Sequence, residues 1–349
     1  MRELNLFITG LGNVGSELLS LITKKNKYSQ KFKMNVIGIS NSKFMFFDRK
    51  GVDLSKWKSL LSNGEINNRN QFFNRTIKFN LSNSVFVDNT ASEIISREYE
   101  NYFMKGISVV TCNKIACSSD FGYYEKLKKL TIKNNVSFLY ETNVGSAIPV
   151  IETLNNLILS NDEIFSVRGI LSGSLNYIFN NFTIENTFHD IVEKAKKLGL
   201  TEPNPQIDLS GIDVARKLLI VSRECGFKTE IDDIKIKSFL PKSHKLNFSS
   251  NQSFSNYIEE NKTYFNNKLS VAKAKNCRLK HIAELKSNGK GIISLEEIKK
   301  GNVFYDVLDE ENIIIIKTKN NLKNPIVLKG PGAGGSITAK GVLNDILKI

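Results

Sequence analysis

Phe7-Ile-Thr-Gly10-Leu-Gly12-Asn-Val-Gly15 decides the fold of this chain. The apolar run Asn5–Thr9 predicts a strand, and Ser16–Thr23 has the spacing of a helix. Between them lies a G-x-G-x-x-G. Gly10 permits a tight turn, Gly12 lets backbone approach a pyrophosphate, and Gly15 lets helix pack on strand. The free N–H groups and positive end of the helix then face the phosphates. In this setting Gly10, Leu11, Gly12, Asn13, Val14, Gly15 and Ser16 are candidate dinucleotide-binding residues.

Working outward, the alternation continues. Asn35–Ser40, Val85–Asp88, Ser108–Thr111 and Ser137–Tyr140 read as strands, and Tyr123–Lys133 as a helix. Such alternation predicts a parallel sheet with helices on both faces. Residues 44–79 fit less cleanly and predict an insertion around Trp57 with an amphipathic helix. An acid near the end of the second strand would hold the ribose of NAD. Here that strand ends Gly38-Ile-Ser40-Asn-Ser-Lys43, with no acid. The Ser40 hydroxyl and Lys43 suit a 2′-phosphate, so NADP(H) is the preferred cofactor and NAD(H) the alternative.

The pattern changes near Thr142. A helix is expected over 147–159, a strand over Phe165–Leu171 and a helix over Leu175–Phe182. Thr187 and Asp190 have the spacing of a capping box for a helix Phe188–Leu198, closed by Gly199. A helix Ser210–Cys225 stops at Gly226, and another is expected over Ser253–Phe265. Ser287-Asn-Gly-Lys290 predicts a hairpin between Arg278–Lys286 and Gly291–Glu296. Val303–Val307 and Ile313–Lys317 read as further strands, and Ile337–Leu347 as a closing helix. The fold class is therefore α/β: a Rossmann-type parallel-sheet domain, plus an α+β domain with a mixed sheet. The expected bounds are 1–140, completed by 326–349, for the NAD(P)-binding domain, and 141–325 for the catalytic and dimerisation domain.

Composition bounds the function. The 349 residues carry a formal net charge of +14, which raises nucleic-acid binding as a reading. The lysines are spread along the chain with no accompanying motif, so solvated faces account for them and no nucleic-acid partner is expected. No apolar run approaches the roughly 18 residues of a membrane helix. Leu4–Thr9 is too short for a secretory segment. Four scattered cysteines fit reduced thiols in a cytoplasmic protein. The histidines His189, His244 and His281 do not cluster with them.

The chemistry-bearing stretch is Gly199-Leu-Thr-Glu202-Pro-Asn-Pro-Gln-Ile-Asp208-Leu-Ser-Gly-Ile-Asp213-Val-Ala-Arg-Lys217. It is a loop feeding a helix. Asp213 and Lys217 are four apart and share a face. Glu202 and Asp208 precede them, so three carboxylates and a lysine gather near one helix start. On chemistry alone, a capping acid, a surface ion pair and a solvated loop would also fit.

This stretch closely resembles the homoserine dehydrogenase signature. Co-linear companions agree: Phe7–Gly15, Val110-Thr-Cys-Asn-Lys114, Tyr140-Glu-Thr-Asn-Val-Gly145, Gly169-Ile-Leu-Ser-Gly-Ser-Leu-Asn-Tyr-Ile-Phe179 and Gly330-Pro-Gly-Ala-Gly334. Gly38–Lys43 and Leu139–Val144 look most like the dehydrogenase half of bifunctional aspartokinase–homoserine dehydrogenases. The resemblance implies NAD(P)H-dependent reduction of L-aspartate 4-semialdehyde to L-homoserine, a step toward threonine and methionine. It implies Lys217 as proton donor and Asp213 as its partner, and Glu202 and Asp208 as acids of the substrate pocket. Lys114 would lie near nicotinamide and substrate, with Thr90, Gly334 and Gly335 as cofactor contacts. Glu141 and the carbonyls of Val144, Ser146 and Ile148 would bind sodium, and the chain would form a homodimer. The chain opens on the cofactor strand and ends soon after the glycine loop. The expectation is a single-activity enzyme without kinase or threonine-regulatory module.

Overall fold

The computed structural model describes residues 2–28, 31–241 and 251–349; His244 lies outside them. The chain divides into two units, residues 1–147 with 334–349, and residues 148–333.

The first unit is built on a seven-stranded sheet. Its strands are β1 (Arg2–Thr9), β2 (Phe32–Ser40), β3 (Phe44–Phe47), β4 (Glu65–Ile66), β5 (Ser84–Asp88), β6 (Ser108–Thr111) and β7 (Phe138–Leu139), in the spatial order β4-β3-β2-β1-β5-β6-β7. β1 pairs in parallel with β2 and β5, and β6 in parallel with β5 and β7. β1 is buried from Leu4 to Thr9, the unbroken run expected of a strand covered on both faces. Helix Asn13–Tyr28 contributes Leu18, Leu19 and Ile22 to that core, and the C-terminal helix Gly335–Ile346 contributes Ala339, Val342, Leu343 and Ile346.

The irregular segment 44–79 is an edge extension. β3 and β4 add antiparallel strands, and helix Arg69–Phe79 follows. Asn68 caps that helix by accepting the Gln71 N–H at 3.0 Å. Asn67 ties the extension back through a bond to the Asn41 carbonyl at 2.7 Å. The strand expected over Ser137–Tyr140 shortens to Phe138–Leu139, because Tyr140 already turns the chain into the one-turn 3-10 helix Glu141–Asn143.

The second unit carries a six-stranded mixed sheet. Its strands are β8 (Ile164–Ile170), β9 (Ile234–Lys237), β10 (Cys277–Lys286), β11 (Gly291–Lys299), β12 (Glu311–Thr318) and β13 (Ile326–Pro331). The spatial order is β13-β12-β8-β10-β11-β9, with only β9–β11 parallel. β10 and β11 form the expected hairpin, with Gly289 at φ 78° in its turn. Thr187 and Asp190 make the expected capping box on helix Phe188–Lys197.

Three expectations are corrected. Val303–Val307 is not a strand but a series of turns after Gly301. Two of its apolar residues, three apart, plug the sheet instead: Phe304 and Val307 pack on Ile170, Ile282, Ile298, Ile313 and Ile315. The helix expected over Ser253–Phe265 is two helices, Asn251–Glu260 and Lys262–Ala274, broken where Asn261 leaves helical geometry. Residues 326–331, expected to complete the first domain, form β13 at the edge of the second sheet.

Candidate active site

In the first unit the G-x-G-x-x-G turn joins β1 to its helix. Gly10 has φ 84°, and a Cβ there would lie 2.7 Å from backbone of Asn89 and from Thr90 Cγ2. A Cβ on Gly15 would lie 2.2 Å from the Gly10 carbonyl oxygen, so close helix–strand packing demands glycine there. A Cβ on Gly12 would meet no protein atom within 4 Å. Nothing among the described residues requires glycine at 12; close approach of a ligand to the backbone would.

Beside this turn opens a cleft of about 730 Å³, lined by Thr9, Gly10, Asn41, Ser42, Arg69 and Thr90 among others. None of the described residues lining it is acidic. Ser40 stands behind it, buried, with its hydroxyl bonded to Thr9 Oγ1 at 2.9 Å. Lys43 is exposed and not part of the lining. Arg69, which sequence reading missed, is, and its guanidinium is paired with Glu98. Lys114 follows β6 at the start of the short helix Ile115–Ser118. Leu11, Asn13, Val14 and Ser16 sit in the turn and first helical residues, and Gly334 and Gly335 open the C-terminal helix. A Cβ on Gly335 would lie 3.4 Å from Asn13 Cβ, so the glycine loop returns to the first turn of the nucleotide helix.

Glu141 is buried in its 3-10 turn, and its N–H donates to Asp345 Oδ2 at 2.9 Å. Val144 follows, fully buried, and Gly145 and Ser146 both take left-handed φ, 76° and 59°. Ser146 is fixed by a 2.8 Å bond between its hydroxyl and Thr338 Oγ1. Ile148 is buried at the start of the second unit.

In the second unit, helix Ile212–Glu224 carries the lysine. Lys217 Nζ lies 2.8 Å from Asp213 Oδ2, the pair its i,i+4 spacing predicts, and donates to the Leu171 carbonyl at 2.8 Å. Its side chain is 13% exposed, against 45% for Asp213. Two acceptors thus hold one largely buried ammonium.

Asp208 lies in the short helix Pro205–Leu209, capped by Asn204. Its Oδ1 accepts the Ser174 hydroxyl at 2.9 Å and its Oδ2 accepts the Glu202 N–H at 2.9 Å. Burial pushes the Asp208 carboxyl pKa up; the two hydrogen bonds oppose this, while the Glu202 and Asp213 carboxylates add to it. Glu202 itself is exposed. Gly211, at φ 76°, turns the chain from Asp208 into the helix of Lys217, packed over the ring of the buried His281. Ser174 and the Leu171 carbonyl were missed as site groups, although the Leu171-Ser-Gly-Ser174 run was part of the resemblance; no local spacing links position 174 to position 208.

Among the described residues no three His, Cys, Asp or Glu side chains gather as metal ligands, and no helix is long and apolar enough to cross a membrane.

The homoserine dehydrogenase family matches residues 149–347, and the family "Homoserine dehydrogenase, NAD binding domain" matches residues 10–141. A bifunctional aspartokinase/homoserine dehydrogenase from Buchnera aphidicola is 39% identical over 350 residues, covering 99% of this chain and 43% of its own length. The chain thus spans about two fifths of that relative. The homoserine dehydrogenase of Schizosaccharomyces pombe is 33% identical over 363 residues, covering 99% of this chain and 95% of its own. Among solved structures, a Candida auris protein of unknown function aligns with a TM-score of 0.91 at 28% identity, covering 100% of this chain and 98% of that one.

Proposed function

This chain belongs to the homoserine dehydrogenase family, and from that premise we propose that it reduces L-aspartate 4-semialdehyde to L-homoserine. The observation that carries the proposal is the Lys217 ammonium, held by Asp213 and the Leu171 carbonyl in the same unit as the half-buried Asp208.

The first unit fits a nicotinamide dinucleotide. The open approach at Gly12 and the cleft past Thr9, Asn41 and Thr90 suit its phosphates and adenosine end. When bound, the nicotinamide supplies a hydride to the aldehyde carbon. Lys217 stabilises the negative charge that develops on the carbonyl oxygen and gives it a proton. Asp213 and the Leu171 carbonyl restrict where that ammonium points. Asp208 and Glu202 hold the ammonium end of the substrate. A cation arriving there offsets the burial that raises the Asp208 pKa. Lys114 pairs with the substrate carboxylate.

NADP(H) is the preferred cofactor in this reading. The end of β2 carries no acid, and Arg69 brings a guanidinium to the cleft that Asn41 and Ser42 line, a group suited to a 2′-phosphate. One carboxylate with backbone carbonyls is a hard, oxygen-only donor set. The family resemblance assigns such a set, Glu141 with the carbonyls of Val144, Ser146 and Ile148, to a sodium ion. The free cysteines among the described residues fit a cytoplasmic enzyme, and the half-buried Arg168–Glu296 pair on the second sheet fits a homodimer face.

The test is the loss of NADPH absorbance with aspartate semialdehyde, repeated with NADH and with sodium or potassium. No turnover refutes the activity. A higher kcat/KM for NADH refutes the cofactor preference, and indifference to the cation refutes the sodium site.

A further inference from the structure

Asp88 ends β5 in the middle of the first sheet, and it is 0% exposed. Among the described residues it makes no ion pair. A buried carboxyl without a cation is costly to keep, and burial pushes its pKa up. Its hydrogen bonds show what it holds. Oδ1 accepts the Thr90 N–H at 2.8 Å. Oδ2 accepts Asn113 Nδ2 at 3.0 Å and the Tyr99 hydroxyl at 2.6 Å. Asn113 precedes Lys114. The same Nδ2 donates to the Ser92 carbonyl at 2.9 Å, and Asn113 Oδ1 accepts the Ile115 N–H at 3.1 Å. The two carboxyl oxygens therefore grip two different loops, one carrying Thr90 and one carrying Lys114.

An amide could not do the same. Asparagine has one acceptor oxygen and one donor nitrogen. Whichever way it turned, its NH2 would face a donor, from Thr90 or from Asn113. An apolar residue would satisfy neither loop.

We propose that Asp88 is a positioning residue that locks the Thr90 loop to the Lys114 turn, so that a cofactor contact and a substrate-facing lysine are set as one rigid piece. The proposal rests on the reading of Lys114 given above. Its signature is non-additivity: if Asp88 acts through Lys114, removing Lys114 removes most of what Asp88 does for turnover.

The experiment is a double-mutant cycle on the full chain, with kcat at saturating NADPH and semialdehyde for wild type, Asp88→Asn, Lys114→Ala and the double variant. The expected result is a fall in kcat of about tenfold or more for Asp88→Asn alone, and a further fall of less than about twofold in the Lys114→Ala background. Losses that multiply overturn the proposal and leave Asp88 as a generally stabilising residue. Full kcat for Asp88→Asn, with kcat lost in Lys114→Ala, also overturns it while sparing the Lys114 reading. Full kcat in Lys114→Ala sinks that reading and this proposal with it. If Asp88→Asn fails to fold, Asn113→Ala cuts the same link without touching β5, and the same cycle applies.

Discussion

Replacing His281 by leucine should flatten the acid dependence of the second unit's stability. His281 lies in β10, 4% exposed, with its ring edge-on to Phe239 at 5.7 Å. Its Nδ1 has no hydrogen-bond partner among the described residues. Burial pushes its pKa from the ordinary 6.5 down to about 4. Between those values the unfolded imidazole binds a proton and the native one does not. Stability is therefore full above about pH 6.5 and falls as pH drops toward 4. At roughly 1.4 kcal/mol per pH unit, the interval corresponds to about 3 kcal/mol. Leucine keeps an apolar side chain in the place and cannot titrate. The assay is amide hydrogen exchange of the peptide 277–286, comparing wild type with His281→Leu at each pH so that intrinsic exchange cancels. The protection of wild type relative to the variant should drop roughly a hundredfold between pH 7 and pH 4. A ratio constant across that range would show that the ring is not held neutral by burial, and the reasoning would fail. The Gly211 turn packs on this ring, so wild-type activity should also fade in that pH window more than the variant's.

Other predictions are simpler. Lys217→Ala should lower kcat by roughly 10²- to 10⁴-fold, with NADPH binding, followed by fluorescence titration, nearly unchanged; retained kcat would remove the proton-donor role. Gly15→Ala should lower the melting temperature of the first unit, because its Cβ has no room beside the Gly10 carbonyl. Gly12→Ala should leave the melting temperature alone and weaken NADPH binding, since its Cβ meets only open space; unaltered NADPH binding would place the pyrophosphate elsewhere. Arg69→Gln should raise KM for NADPH more than KM for NADH, and equal effects on both would assign Arg69 to a part of the cofactor that the two share.

What the sequence made legible was local. Gly10 to Gly15 is a single turn, Thr187 and Asp190 are three apart, and Asp213 and Lys217 lie one helical turn apart. Each constraint is satisfied within a few residues, so spacing reports it. The rest depends on contacts that spacing does not encode. Ser174 meets Asp208 across 34 residues, and Asn113 meets Asp88 across 25. Arg69 reaches the nucleotide cleft from an edge extension whose placement depends on Asn67 and Asn41. Val303–Val307 misled because a short apolar run marks residues that reach a core, whether a strand or, as with Phe304 and Val307 here, a chain of turns carries them. Only the count of available partner strands separates the two cases.

The first unit is discontinuous in the chain. Leu4, Leu6 and Ile8 of β1 and Leu18 and Ile22 of the nucleotide helix share one core with Ala339, Val342 and Ile346. During vectorial synthesis those early residues emerge long before their partners. Until the helix Gly335–Ile346 appears, the nascent nucleotide fold has an uncovered apolar seam, the kind of surface that holdase chaperones occupy. The second unit, contiguous from 148 to 333, can finish folding before the first, whose two segments flank it in the chain.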